Sequence, residues 1–195
     1  MPLIRAIYES YLHMCFLEKH PEKLRDLLDA KLGLQAGTHS FATNAKGKPD
    51  RRIIVDNKTG ERFDGHISVY RMAEASAHAS DKLLFPYMYE YLSDFVHPSV
   101  RLVPDYAAHA DSLNSMHDDR LFEATCYAIT VACMVLSYVK ESGLASPQMT
   151  EDLKRVLARI ARKAGLLLGK EVTSHSSPLD KYVLQRWEEI ARANA

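Results

Sequence analysis

The chain has 195 residues, 47% of them hydrophobic, and its 25 basic and 25 acidic side chains cancel. That length and apolar content support one well-cored globular domain and exclude a disordered chain. The balanced charge excludes the strongly basic surface of a protein that grips nucleic acid by net charge alone, so only local patches remain.

In chain order, residues 3–19 place Leu3, Ile4, Ile7, Tyr8, Tyr11, Leu12, Cys15 and Phe16 at the three and four spacing of an amphipathic helix. Arg5, Glu9, Glu18 and Lys19 interrupt what would have to be the apolar core of a signal peptide. His20 and Pro21 punctuate this helix. A second, shorter one follows in "PEKLRDLLDAKLGL", with Leu24, Leu27, Leu28 and Leu32 expected to turn inward and pair antiparallel with the first.

Residues 37–65 lose the helical period. "RIIVDNKTGERF" reads as two short strands around a turn at Asn57–Gly60, a hairpin that must pack on helices to persist. Helical signals resume at "ISVYRMAEASAHAS", with a break expected near Ser80 and Asp81. They continue through "KLLFPYMYEYLSDFV", where Pro86 is tolerated near a helix start and Pro98 closes the element.

After an irregular stretch over 98–116, a long helix is predicted for 119–141. Its weakly polar core, Thr125 to Val139, is shorter than the roughly 20 residues of a bilayer span, so it reads as the central helix of a bundle. Two more helices follow. One is apolar at Leu153, Val156, Leu157, Ile160, Ala164 and Leu167; the other has Ser177 as cap and Leu179, Val183, Trp187 and Ile190 inward. Cys126, Cys133 and Met134 fit core positions as well. The expected fold is therefore all-α: a single helical domain over 1–195, six or seven helices in a bundle, with one inserted β-hairpin or long loop at about 37–65.

Cys15, Cys126 and Cys133 form no CxxC pair, and the last two stand about two helical turns apart, too far to bridge within one helix. A reducing cytoplasm is the expected location, with no membrane contact.

Chemistry concentrates in "YMYEYLSDFVHPSVR". Tyr89, Ser93 and His97 are four residues apart, a polar row about 12 Å long bordered by the apolar Met88, Leu92, Phe95 and Val96. Arg5, Glu9 and His13 form a second such row on the first helix. A buried hydroxyl or imidazole without a partner costs about 1–3 kcal/mol, so the two rows are natural partners for each other. An exposed Arg5–Glu9 pair would add only about 0.3–0.5 kcal/mol, too little to account for placing charge on an apolar helix. His97, at a helix C-terminus before Pro98, is suited either to acid–base work or to capping the helix end.

These residues carry a family resemblance. "LIRAIYESYLHMCFLEKHPEKLRDLL" and "YEYLSDFVHPSVR" resemble a bacterial, all-helical family of unknown function marked by Arg-x-x-x-Glu and Tyr-x-x-Leu-Ser-x-x-x-His. Arg5 and Glu9 fit the first motif; Tyr89, Leu92, Ser93, His97 and Pro98 fit the second. The resemblance covers residues 3–29 and, loosely, 85–140. The chain departs from it by starting directly at the first helix, where such proteins usually carry helices upstream, and by the hairpin at 51–63.

A looser likeness is to the HEPN superfamily of helical ribonucleases and nucleotide-binding toxins. It rests on Arg71 and His78, with six residues between them where four to six are usual and without the usual polar residue after the arginine. It implies RNA-directed activity in stress or phage defence.

Metal chemistry finds little support. Glu74 and His78 lie four apart, but there is no HExxH and no pair of Glu-x-x-His motifs. No phosphate loop and no nucleophile turn occur, and Ser93 and His97 project from one helix rather than facing each other. No cofactor is expected. The stripe Arg155, Arg159, Arg162 and Lys163 can track phosphates or serve as a solvated helix face.

Two functions follow. In one, Arg5, Glu9, Tyr89, Ser93 and His97 form a ligand-binding or catalytic site for a small ligand or RNA. In the other, the same network is structural within an interaction or scaffold protein with a protein partner or a second copy of itself.

Overall fold

The computed structural model describes residues 2–76, 78–94, 117–171 and 177–195. They form seven helices and three strands in the order α1 (Pro2–Lys19), α2 (Pro21–Ala36), β1 (His39–Thr43), β2 (Pro49–Asp56), β3 (Arg62–Asp64), α3 (Val69–Ala75), α4 (Ala79–Asp94), α5 (His117–Glu141), α6 (Pro147–Glu171) and α7 (Pro178–Ala193). This is the expected all-α architecture with a small inserted sheet. No helix among the described residues is long and apolar enough to cross a membrane. His97, Pro98, the irregular stretch over 98–116 and the side chain of Leu167 lie outside the described residues.

The contacts gather into two compact units, Met1–Tyr11 with Ala77–Ala195, and Leu12–Ser76. The boundary falls inside α1.

In the first unit α7 packs against α4, α5 and α6, and α5 also meets α6. The 3.6-residue period explains why α7 is central: Leu179, Val183, Trp187 and Ile190 fall on one stripe, and each is at most 7% exposed. Burying side chains of this size contributes about 1.5–3 kcal/mol apiece. Leu84, Met88 and Leu92 of α4, Val131, Cys133 and Met134 of α5, and Leu157 and Ala161 of α6 complete the core. Ser177 caps α7 by accepting the Asp180 N–H, with Pro178 in the first turn.

Three details of this unit differ from the expectations. Val156 is 47% exposed, because the buried face of α6 runs through Leu157, Ala158 and Ala161 instead. Pro86 lies in the interior of α4 rather than near its start. The missing N–H removes one intrahelical bond, a loss of roughly 3 kcal/mol that the burial of Leu84, Phe85, Met88 and Leu92 on the same helix offsets. The chain breaks at Ser76, before Ser80 and Asp81, which belong to the first turn of α4 and are fully buried.

In the second unit α2 packs on all three strands. The sheet has the order β1-β2-β3, antiparallel throughout, with a register shift between Phe41 and Ala42. The hairpin foreseen at β2–β3 is present. Its turn is organised by Asp56, whose Oδ1 accepts the Lys58 and Thr59 N–H groups at 2.7 and 2.9 Å. The first strand, β1, has no alternation of apolar and polar residues and was not foreseen.

The inward face of α2 is also different. Ala30 and Gly33 are buried, whereas Leu24, Leu28 and Leu32 are 40, 50 and 60% exposed. Small side chains let the sheet approach closely, and the leucine row faces outward. Within this unit α2 packs on the sheet.

Candidate functional site

Arg5 and Glu9 lie one turn apart on α1, and the Arg5 Nε donates to Glu9 Oε1 at 2.8 Å. The other edge of the guanidinium reaches 84 residues along the chain, where Nη2 donates to the Tyr89 hydroxyl at 2.8 Å. The guanidinium carbon also stands 4.7 Å from the centre of the Tyr89 ring. Tyr89 is itself held by a stacked contact with Phe85, ring centres 5.0 Å apart. Burial works against the Arg5 charge, but the hydrogen bonds and charges of Glu9 and Tyr89 outweigh it and leave the guanidinium more firmly protonated than usual.

The structure thus brings together Arg5, Glu9 and Tyr89, from the two polar rows. Ser93 follows Tyr89 on α4, with its hydroxyl donating back to the Tyr89 carbonyl at 2.5 Å. The Arg5 side chain is 15% exposed and that of Glu9 35%, so the group sits at the edge of the core and remains within reach of solvent. His13 has a buried Nε2 with no hydrogen-bond partner among the described residues.

The two residues of the other proposed pair fall on different elements. α3 ends at Ala75, with Ser76 as its cap, so Arg71 and His78 do not share a helix, and neither do Glu74 and His78. Arg71 is exposed. His78 pairs instead with Glu141 at the end of α5, Nε2 to Oε2 3.2 Å. That hydrogen bond, against opposing burial, lowers the Glu141 carboxyl below its usual range.

A second polar cluster lies deep in the first unit, and sequence reasoning missed it. Arg186 of α7 is 1% exposed and Asp81 of α4 is fully buried; Arg186 Nε stands 3.3 Å from Asp81 Oδ1. The Tyr11 hydroxyl bridges the pair, donating to Asp81 Oδ2 at 2.5 Å and accepting from Arg186 Nη2 at 3.1 Å. Arg186 Nη1 also donates to Glu189 Oε2 at 3.2 Å, an oxygen that the Ser80 hydroxyl donates to as well.

Beside this cluster, the Tyr8 hydroxyl is buried without a hydrogen-bond partner among the described residues. Burial first, and the Asp81 charge second, push its ionisation well above the usual range, with Arg186 opposing. The signal was present in the sequence: Arg186 falls seven residues after Leu179, on the same stripe as Val183, Trp187 and Ile190, where a charge demands a countercharge.

Among the described residues no group of three His, Cys, Asp or Glu side chains is placed to hold a metal ion. In comparisons with known proteins, residues 1–112, which contain Arg5, Glu9, Tyr89, Ser93 and His97, match DUF5677, described as a family of unknown function. No curated protein and no solved structure matches the chain.

Proposed function

The chain belongs to DUF5677, a family of unknown function, and from that premise we propose that it is a cytoplasmic protein that binds a phosphate-bearing ligand, RNA foremost, through Arg5, Glu9, Tyr89, Ser93 and His97. The observation that carries the reading is the fixing of the Arg5 guanidinium from two directions at a solvent-accessible edge, by Glu9 on its own helix and by Tyr89 on α4. An exposed Arg–Glu pair on one helix contributes only about 0.3–0.5 kcal/mol and the bond to Tyr89 about 0.5–1.5 kcal/mol more, a modest gain in stability for holding a guanidinium at this edge. A guanidinium with its orientation already set is, by contrast, a good phosphate receptor, because little side-chain freedom is lost on binding. In this reading His97 supplies acid–base chemistry at the bound phosphate or the adjacent hydroxyl.

RNA-cleavage and thermal-shift assays on Arg5→Ala, Tyr89→Phe and His97→Ala test it. Loss of cleavage, or of ligand-induced stabilisation, in variants whose unfolding midpoints stay near that of the parent supports the site. Variants that fold and match the parent in both assays overturn it. A structural role is the second reading, favoured by the Ser93 hydroxyl turning back onto its own helix. It predicts instead a lowered melting temperature with no separable functional loss.

A further inference from the structure

The α6 stripe singled out in the sequence lies on a different helix from the Arg5, Glu9 and Tyr89 side chains. Lys154, Arg155, Arg159, Arg162 and Lys163 place five cations within ten residues of a chain with no net charge, and all five are exposed. Only Arg155 is paired, with Asp152 one turn earlier; Lys154, Arg159, Arg162 and Lys163 have no ionic or hydrogen-bonding partner among the described residues.

The five line a groove of about 540 Å³ together with Ala158, Asn194 and Ala195, and among the described residues no carboxylate side chain shares its walls. Its far wall is held in place, because Asn194 donates to the Ile190 carbonyl at 2.7 Å and accepts from Lys140 Nζ at 2.7 Å. The apolar residues lining it, Ala158 and Ala195, are small, so the cations can approach a rod-like partner closely.

We propose that this groove is a docking surface for the phosphate backbone of a nucleic-acid duplex. Successive cations one turn apart advance about 6 Å along the helix, a ladder of positive charge suited to a regularly spaced polyanion. The planar fork of donors on arginine matches the geometry of phosphate oxygens and can bind them bidentately. Among the described residues no aromatic side chain lines the groove, so they offer no platform for stacking unpaired bases, and the groove reads the backbone without regard to sequence. A lipid surface fits less well. An interfacial helix must lay its apolar face into the bilayer, and the apolar face of α6, Leu157, Ala158 and Ala161, is already buried in protein.

The test is fluorescence anisotropy of the full chain with short labelled DNA and RNA duplexes across a salt series. Four phosphate contacts predict a log–log salt slope near −3.6 for a DNA duplex, a loss of about 10²-fold between 50 and 200 mM salt. Arg159→Ala/Arg162→Ala/Lys163→Ala should reduce the slope by about 2.7 and weaken binding at least tenfold at low salt. Arg159→Lys/Arg162→Lys, which keeps the charge, should retain the slope. Far-ultraviolet circular dichroism confirms that each variant is folded. The proposal is overturned by a parent chain that does not bind duplexes at low salt, by an unchanged slope in the triple variant, or by binding to phosphatidylserine vesicles in place of duplexes.

Discussion

Replacing Arg186 with methionine removes the cation of the buried cluster and leaves Asp81, which is fully buried, without the charge 3.3 Å from its Oδ1. Breaking a buried pair from one side costs about 3–5 kcal/mol, a large share of the 5–15 kcal/mol that holds a typical domain together. Tyr11 loses its donor at 3.1 Å in the same step. The reverse change, Asp81→Leu, should cost less, because Arg186 keeps Glu189 at 3.2 Å. The double variant Asp81→Leu/Arg186→Met should recover part of the loss, since no uncompensated charge remains at the pair, while the buried Tyr11 hydroxyl gives up its bonds to both residues at a cost of about 1–3 kcal/mol. Urea unfolding at neutral pH reads all four chains, with the fluorescence of Trp187, 2% exposed, as a core probe. An Arg186→Met cost below about 1 kcal/mol, or additive effects in the double variant, would refute this account of the cluster.

Three other outcomes are expected. A Cβ added at Gly33 falls on the His39 imidazole, which Thr38 Oγ1 holds at 3.0 Å; Gly33→Ala should therefore destabilise, even though alanine in a helix is favoured over glycine by about 1 kcal/mol. In a His39→Ala background the sign should reverse, and urea midpoints that rise in both backgrounds would contradict the clash. Asp50, hydrogen-bonded by the Arg52 side chain and N–H, has its carboxyl lowered to about 2, so its stabilising contribution is present above the ordinary value of 3.8 and is lost as pH falls through about 2. Carboxyl titration followed by NMR should show that midpoint, and Arg52→Ala should return it toward 3.8. Burial raises the Cys133 thiol to about 11, so iodoacetamide at mild alkaline pH should label it only after unfolding; rapid labelling of the folded chain would contradict its placement in the core.

The helices were legible because each carries an apolar stripe at the helical period, and α7 shows it most plainly through Leu179, Val183, Trp187 and Ile190. The partnership of Arg5 and Glu9 with Tyr89 could also be reasoned out, since polar groups on apolar faces must find one another. What stayed hidden depends on partners distant in the chain. Strand β1 draws its definition from pairing with β2 rather than from its own pattern. Leu24, Leu28 and Leu32 look inward until α2 is seen to meet the sheet through Ala30 and Gly33. Tyr8 and Tyr11 look apolar in the sequence, and Ser80 and Asp81 look like a helix break, because nothing local announces the arginine that arrives more than a hundred residues after Asp81.

That arginine divides the family-matched segment from what completes it. Tyr11 and Asp81 lie within residues 1–112, while Arg186 comes from beyond them. A fragment cut at the family boundary would carry a carboxylate meant for the core and no arginine to meet it, so its folding would depend on a cation supplied in trans.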